Sequence, residues 1–107
     1  MPDLTQKAVD FIKQQKSDKP FFLYFPWAAP HTPVVPNDEF IGKSAAGNYG
    51  DFVVECDATV QRIVQALKEM GLYENTILIL TSDNGCSPHG FPIEQEIKSS
   101  NLFCFFC

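Results

Sequence analysis

Residues 76–85, which read TILILTSDNG, constrain this chain more than any other stretch. Ile77, Leu78, Ile79 and Leu80 are apolar without alternation, the pattern of a strand buried on both faces. Such strands belong to parallel sheets covered by helices, so this run points to an α/β fold. It stops at once in Thr81, Ser82, Asp83 and Asn84. A buried strand that delivers a carboxylate and an amide at its carboxyl end puts them where open α/β sheets bind ligands. Asn-Gly is also a common hairpin turn. Pro88 and Gly90, however, interrupt the next segment and keep it from pairing back as a strand.

A second apolar run, FFLYF at residues 21–25, is aromatic and strand-prone. Between the two runs the spacing predicts a long helix over about 48–70. Phe52, Val53, Cys56, Val60, Ile63, Val64 and Leu67 form its inner face, and Asp51, Glu55, Arg62 and Lys68 face water. Gly71 is its natural stop. Asp57 falls on the apolar stripe, where a carboxylate needs donors or a cation; a structural acid and a site residue are both open readings. An earlier helix is expected over about 4–16, with Asp3 and Gln6 in capping-box positions. Leu4, Ala8, Phe11, Ile12 and Gln15 would line its inner face. Strands at about 21–25 and 76–81 joined through helix 48–70 make a parallel, right-handed βαβ unit.

That topology has a chemical consequence. The first strand ends at Pro26, and Pro30, Pro33 and Pro36 stiffen the connection beyond it. His31 lies in this loop, held with little entropy left to lose. An imidazole there is either a passive surface group or part of a site. Parallel strands bring their carboxyl ends to one edge, so His31 and the Asp83-Asn84 pair are expected on the same side. Asp83 and Asn84 offer hard oxygens that suit calcium or magnesium better than zinc. A metal beside a rigid histidine suggests hydrolysis of an anionic ester, although no strong nucleophile is evident.

A formal charge of −5 argues against a nucleic-acid partner and is compatible with a bound cation. No apolar run approaches the roughly 20 residues needed to span a bilayer, and no basic segment followed by an apolar one opens the chain. Among the four cysteines, Cys56 reads as a small buried residue of the helix. Cys104 and Cys107 form a C-x-x-C without the second pair that zinc needs.

Taken in order, these residues resemble the sulfatases of the alkaline-phosphatase-like superfamily. The motifs are FFLYF before Pro30-His31-Thr32-Pro33, then Tyr49-Gly50-Asp51 opening a helix with Glu55, Asp57 and Val60, then Asn75-Thr76 and Thr81-Ser82-Asp83-Asn84-Gly85. The resemblance covers about residues 4–88. It implies an α/β/α sandwich, here present in part, that hydrolyses sulfate esters with a formylglycine nucleophile and a bound calcium ion. By position, Asp83 and Asn84 would be calcium ligands, and His31 would contact the substrate sulfate or the leaving-group oxygen. The implied substrate is a sulfated small molecule or glycan, and the implied compartment is exported, periplasmic or lysosomal.

The departures matter as well. The family forms formylglycine from the Cys or Ser of a C/S-x-P-x-R motif, which would lie upstream of Met1 with the first metal-binding aspartates. Cys86-Ser87-Pro88-His89-Gly90 imitates that motif but has Gly90 in place of its Arg, so Cys86 is not read as the nucleophile. Lys98 lacks the context of the family's downstream lysine. Residues 1–88 are therefore read as a catalytic-domain fragment that is inactive by itself, and 89–107 as an irregular tail. The alternatives are a phosphatase or phosphodiesterase of the same superfamily, and a non-catalytic remnant.

Overall fold

In the computed structural model, residues 2–84 are described. They hold two α-helices, α1 (Pro2–Lys13) and α2 (Gly47–Glu69), and two 3-10 turns, Asp38–Phe40 and Tyr73–Asn75. No strand occurs among the described residues. The expected parallel βαβ unit is therefore corrected. Residues 21–25 and 76–80 have the composition of strands, but a strand also requires a second extended segment to exchange N–H and C=O bonds with it. No such ladder forms between these two.

The residues divide into two compact units. The first comprises the chain up to Trp27 together with Asp57–Ile79. Its core is Ala8, Val9 and Ile12 of α1 packed on Ile63, Ala66 and Leu67 of α2 and on Leu72. The α1 stripe is rotated from expectation: Thr5 and Val9 are buried, whereas Leu4 is exposed. The cause is the partner surface, since Thr5 Oγ1 lies 3.3 Å from Thr59 Oγ1 of α2 in a buried hydroxyl pair. Arg62 donates to Gln6 Oε1 at 2.6 Å, and Lys13 pairs with Glu69 at 3.5 Å. These pairs advance together along both helices, so α1 and α2 run side by side in the same direction. The capping box is also replaced. Pro2 opens α1, and Gln6 turns to Asp10, donating to its Oδ1 at 2.8 Å.

Phe21, Leu23 and Phe25 pack against this core, while Phe22 is 88 % exposed. Residues 21–25, read from sequence as a buried strand, are thus covered on one face, and the 77–80 run, expected to be buried on both faces, is open. Ile77 is 91 % exposed, and Leu78, Ile79 and Leu80 are exposed with it. Phe11 meets Phe21 edge-on, ring centroids 5.7 Å apart, which fixes the extended segment against α1.

Helix α2 matches its predicted span, and it ends for the predicted reason. Gly71 has φ +66°, with its N–H bonded to the Lys68 carbonyl at 3.0 Å and the Leu72 N–H bonded to Leu67 at 2.9 Å. This is a Schellman closure, with Leu72 buried next to the Leu67 it bonds to. Gly71→Ala is expected to lower stability by about 1 kcal/mol, because alanine reaches that φ only with strain. Urea unfolding followed by circular dichroism measures it; an unchanged midpoint would show that the closure contributes nothing.

No helix among the described residues is long and apolar enough to cross a membrane.

Candidate functional site

Among the described residues, the second unit comprises Ala28–Cys56 together with residues 80–84. It contains the residues expected to carry chemistry: His31, Asp83 and Asn84.

His31 occupies an arch whose two ends are buried. Ala29 and Pro30 are buried on one side and Pro36 on the other, while His31, Thr32 and Pro33 are exposed. The His31 N–H closes a turn on the Ala28 carbonyl at 2.9 Å. On the ring, Nδ1 lies 2.7 Å from the Thr32 carbonyl oxygen. A carbonyl only accepts, so Nδ1 carries the hydrogen and donates, and in the neutral ring Nε2 is left as the acceptor. A single local bond thus selects which nitrogen is available for chemistry.

The far end of the arch is held by α2. Glu55, 3 % exposed, accepts the Asn37 backbone N–H on Oε2 at 2.9 Å and the Asn37 side-chain amide on Oε1 at 2.6 Å. One turn earlier Asp51, 2 % exposed, accepts the Gly42 N–H on Oδ2 at 2.8 Å and the Ser44 N–H on Oδ1 at 2.7 Å. Residues at i and i+4 share a helix face, so the two carboxylates take hold of both ends of the 37–44 segment. Ser44 Oγ then accepts the Ala46 N–H at 2.9 Å. Gly50 is where this segment comes closest to the helix. A Cβ there would sit 2.8 Å from Ala46 Cβ and would overlap the Ser44 side chain.

These contacts correct the reading of α2. Asp51 and Glu55, expected to face water, are buried; Asp57, expected on the apolar stripe, is exposed. The inner face is broader in the helix's first half because the 37–46 segment covers a flank that the hydrophobic pattern assigns to solvent. Two signals could have revealed it: the i, i+4 spacing of the acids, and the loop N–H groups of Asn37, Gly42 and Ser44 just upstream.

Asp83 and Asn84 form a bend in which the Ser82 hydroxyl donates to the Asn84 main-chain carbonyl. Thr81 Oγ1 donates to the Ser82 carbonyl at 3.4 Å. One carboxylate and one amide suit a hard cation in kind, but calcium takes about six to eight oxygens. Among the described residues no three His, Cys, Asp or Glu side chains gather around a common point. Asp83 and Asn84 are therefore fit to be part of a calcium site and insufficient to make one. Cys56 is buried and is not in a disulfide. Cys86, His89, Lys98, Cys104, Cys107 and the expected boundary at residue 88 lie outside the described residues.

Residues 2–101 match the family profile described as Sulfatase. The chain is 43% identical over 99 residues to the human N-acetylgalactosamine-6-sulfatase, covering 92% of this chain and 19% of that protein. It is 45% identical over 82 residues to the N-acetylgalactosamine-6-O-sulfatase of Bacteroides thetaiotaomicron, covering 77% of this chain and 16% of that protein. Against the arylsulfatase of Hemicentrotus pulcherrimus it is 42% identical over 85 residues, covering 79% of this chain and 15% of the other. The chain thus spans between about a seventh and a fifth of the length of these relatives. No solved structure matches it.

Proposed function

The chain belongs to the sulfatase family, and from that membership we propose that it is part of the catalytic domain of a sulfuric ester hydrolase. The observation that carries this reading is the continuous match across 2–101, which includes the His31 arch and the Asp83-Asn84 bend. The proposed substrate is a sulfated sugar or small molecule. N-acetylgalactosamine 6-sulfate is the first to test, since relatives from human and from Bacteroides thetaiotaomicron are named for it.

In this reading His31 binds the sulfate or the leaving-group oxygen. The Nδ1 bond to the Thr32 carbonyl leaves Nε2 as the working nitrogen. Asp83 contributes a charged oxygen and Asn84 a neutral one toward a calcium ion, with further ligands from elsewhere in the whole protein. A bound divalent cation polarises the ester oxygen and offsets charge developing on it.

The nucleophile is not supplied here. Arg62, the chain's single arginine, has Val60 two positions before it, so no C/S-x-P-x-R motif occurs within the 107 residues. The isolated chain is expected to show no turnover of a generic aryl sulfate, and metal-dependent hydrolysis by it would sink that expectation. The positive test grafts residues 2–84 in place of the matching residues of the Bacteroides thetaiotaomicron relative. The graft is expected to cleave 6-sulfated N-acetylgalactosamine, and His31→Ala within it to lower kcat by roughly 10²–10⁴, the range for loss of an acid–base group. An unchanged kcat would remove His31 from the site. A preference for phosphate over sulfate esters would turn the reading to a phosphatase.

A further inference from the structure

We propose that Glu55 is a positioning residue for His31: from the buried face of α2 it fixes the Asn37 end of the proline arch and thereby holds the His31 ring in one tautomer. This rests on the reading of His31 as a site residue for its functional meaning, though not for its geometry.

The arch from Ala29 to Pro36 is fastened differently at its two ends. On the first side, Ala29 and Pro30 are buried and the turn from Ala28 to His31 is closed by a backbone bond. On the second side, Pro36 is buried but, lacking an N–H, cannot anchor itself by donating a backbone bond. The next residue, Asn37, makes the attachment with both its backbone N–H and its side-chain amide, and both go to the same carboxylate. Two donors on one carboxylate fix direction as well as distance, as paired bonds do generally. Only Thr32 to Pro36 separate the ring from Asn37, and Pro33 and Pro36 each remove one of the soft torsions among them.

The ring itself depends on the path of this short segment. Its Nδ1 donates to the carbonyl of the adjacent residue, Thr32, at 2.7 Å. That bond exists only while the Thr32 carbonyl is turned toward the ring, and the orientation of the Thr32–Pro33 peptide is set by where the arch ends. Releasing Asn37 frees that peptide to rotate, and the ring then loses its reason to keep the hydrogen on Nδ1. Asp51 does not share this role. Its bonds fall on Gly42 and Ser44, beyond the 3-10 turn Asp38–Phe40 and further from the ring.

Substitution chemistry separates positioning from mere charge. Glu55→Gln keeps one acceptor oxygen for the Asn37 N–H, and Asn37 restores the second bond by flipping its amide so that its oxygen accepts from the glutamine NH₂. Glu55→Ala removes both bonds.

The test is long-range ¹H–¹⁵N correlation spectroscopy of the imidazole in the full 107-residue chain. The chain has two histidines, so His89→Gln leaves His31 as the sole signal. The parent is expected to show one neutral tautomer, with hydrogen on Nδ1 and a lone pair on Nε2. Glu55→Ala is expected to lose that pattern and give averaged nitrogen shifts, and Glu55→Gln to recover it. An unchanged single tautomer in Glu55→Ala overturns the proposal, as does averaging that Glu55→Gln fails to restore. If Glu55→Ala also loses helical circular dichroism, Asn37→Pro takes its place, because it deletes both donors from the loop side at a residue whose φ of −64° proline accepts, and leaves α2 intact. Averaging in that variant supports the proposal and an unchanged tautomer overturns it. Sulfate-ester turnover plays no part in this readout, so failure of the sulfatase reading would leave it standing, and the converse also holds.

Discussion

Ile12→Ala is expected to abolish cooperative unfolding of the unit that contains α1. Ile12 is 1 % exposed and lies at the centre of the cluster formed with Ala8, Val9, Ile63, Ala66, Leu67 and Leu72. Truncating a buried isoleucine to alanine costs about 2–5 kcal/mol in lost transfer energy and residual cavity. Domains of this size have only about 5–15 kcal/mol in total, and this one leaves Phe22, Ile77 and Ile79 exposed instead of in its core. Among the described residues, the polar pairs between α1 and α2 are weaker than this core. The Thr5–Thr59 hydroxyl pair contributes on the order of 1 kcal/mol, and the exposed Lys13–Glu69 pair less. Gln65 first, and then Lys13, hold the Glu69 carboxyl below its ordinary value, but this carboxylate is exposed and solvent screens the effect. The measurement is a urea titration followed by circular dichroism at helical wavelengths. Ile12→Val should shift the midpoint modestly, by about 0.5–1.5 kcal/mol. If Ile12→Ala cost no more than Ile12→Val, the two helices would not be held by this core.

The second large effect is local. Asp51→Ala is expected to release the 42–46 segment from α2 while leaving the α1–α2 core in place. Asp51 is the acceptor for the Gly42 and Ser44 N–H groups, and its removal leaves both without that partner. Each of these bonds to a charged group is worth about 1.5–3 kcal/mol, less what water recovers at the exposed Gly42 and the half-buried Ser44, so about 2–3 kcal/mol is expected in sum. Amide hydrogen exchange reads this directly: protection at Gly42 and Ser44 should fall by roughly 30- to 150-fold, the same energy expressed as a ratio. Protection at the Leu72 amide, bonded to Leu67 in the other unit, should be nearly unchanged. Asp51→Asn keeps one acceptor oxygen and should fall between the two. Equal loss at Leu72 would mean that Asp51 supports the whole chain and not the loop.

Some of the architecture was legible in the residues because it depends on local rules. Helix α2 was placed within a residue at each end, since its apolar repeat is long and Gly71 closes it at the one φ that glycine reaches without strain. The family was legible too, because PHTP and TSDNG occur in order on either side of the helix between them. The strands were not. FFLYF and ILIL state a preference for extended backbone, but a ladder depends on what lies alongside, and here one face of the first run and both faces of the second are open. Helix phase was also misjudged where cover comes from a loop. Asp51 and Glu55 look like solvent-facing acids when only hydrophobic periodicity is counted, because a segment of backbone N–H groups leaves no apolar signature.

The residues alone therefore determined the family and the long helix with its stop, and they nominate His31, Asp83 and Asn84 as the groups offered for chemistry. Those follow from side-chain type and near-neighbour spacing, which the chain carries with it. Only the tertiary structure decided that Asp51 and Glu55 are buried, that they grip the segment leaving the proline arch, and that the Thr32 carbonyl takes the Nδ1 hydrogen of His31. The reason is that a hydrogen bond to backbone is specified by position and direction, not by the identity of the residue that donates it. Almost any sequence at 37–44 offers N–H groups; the fold selects which of them meet a carboxylate.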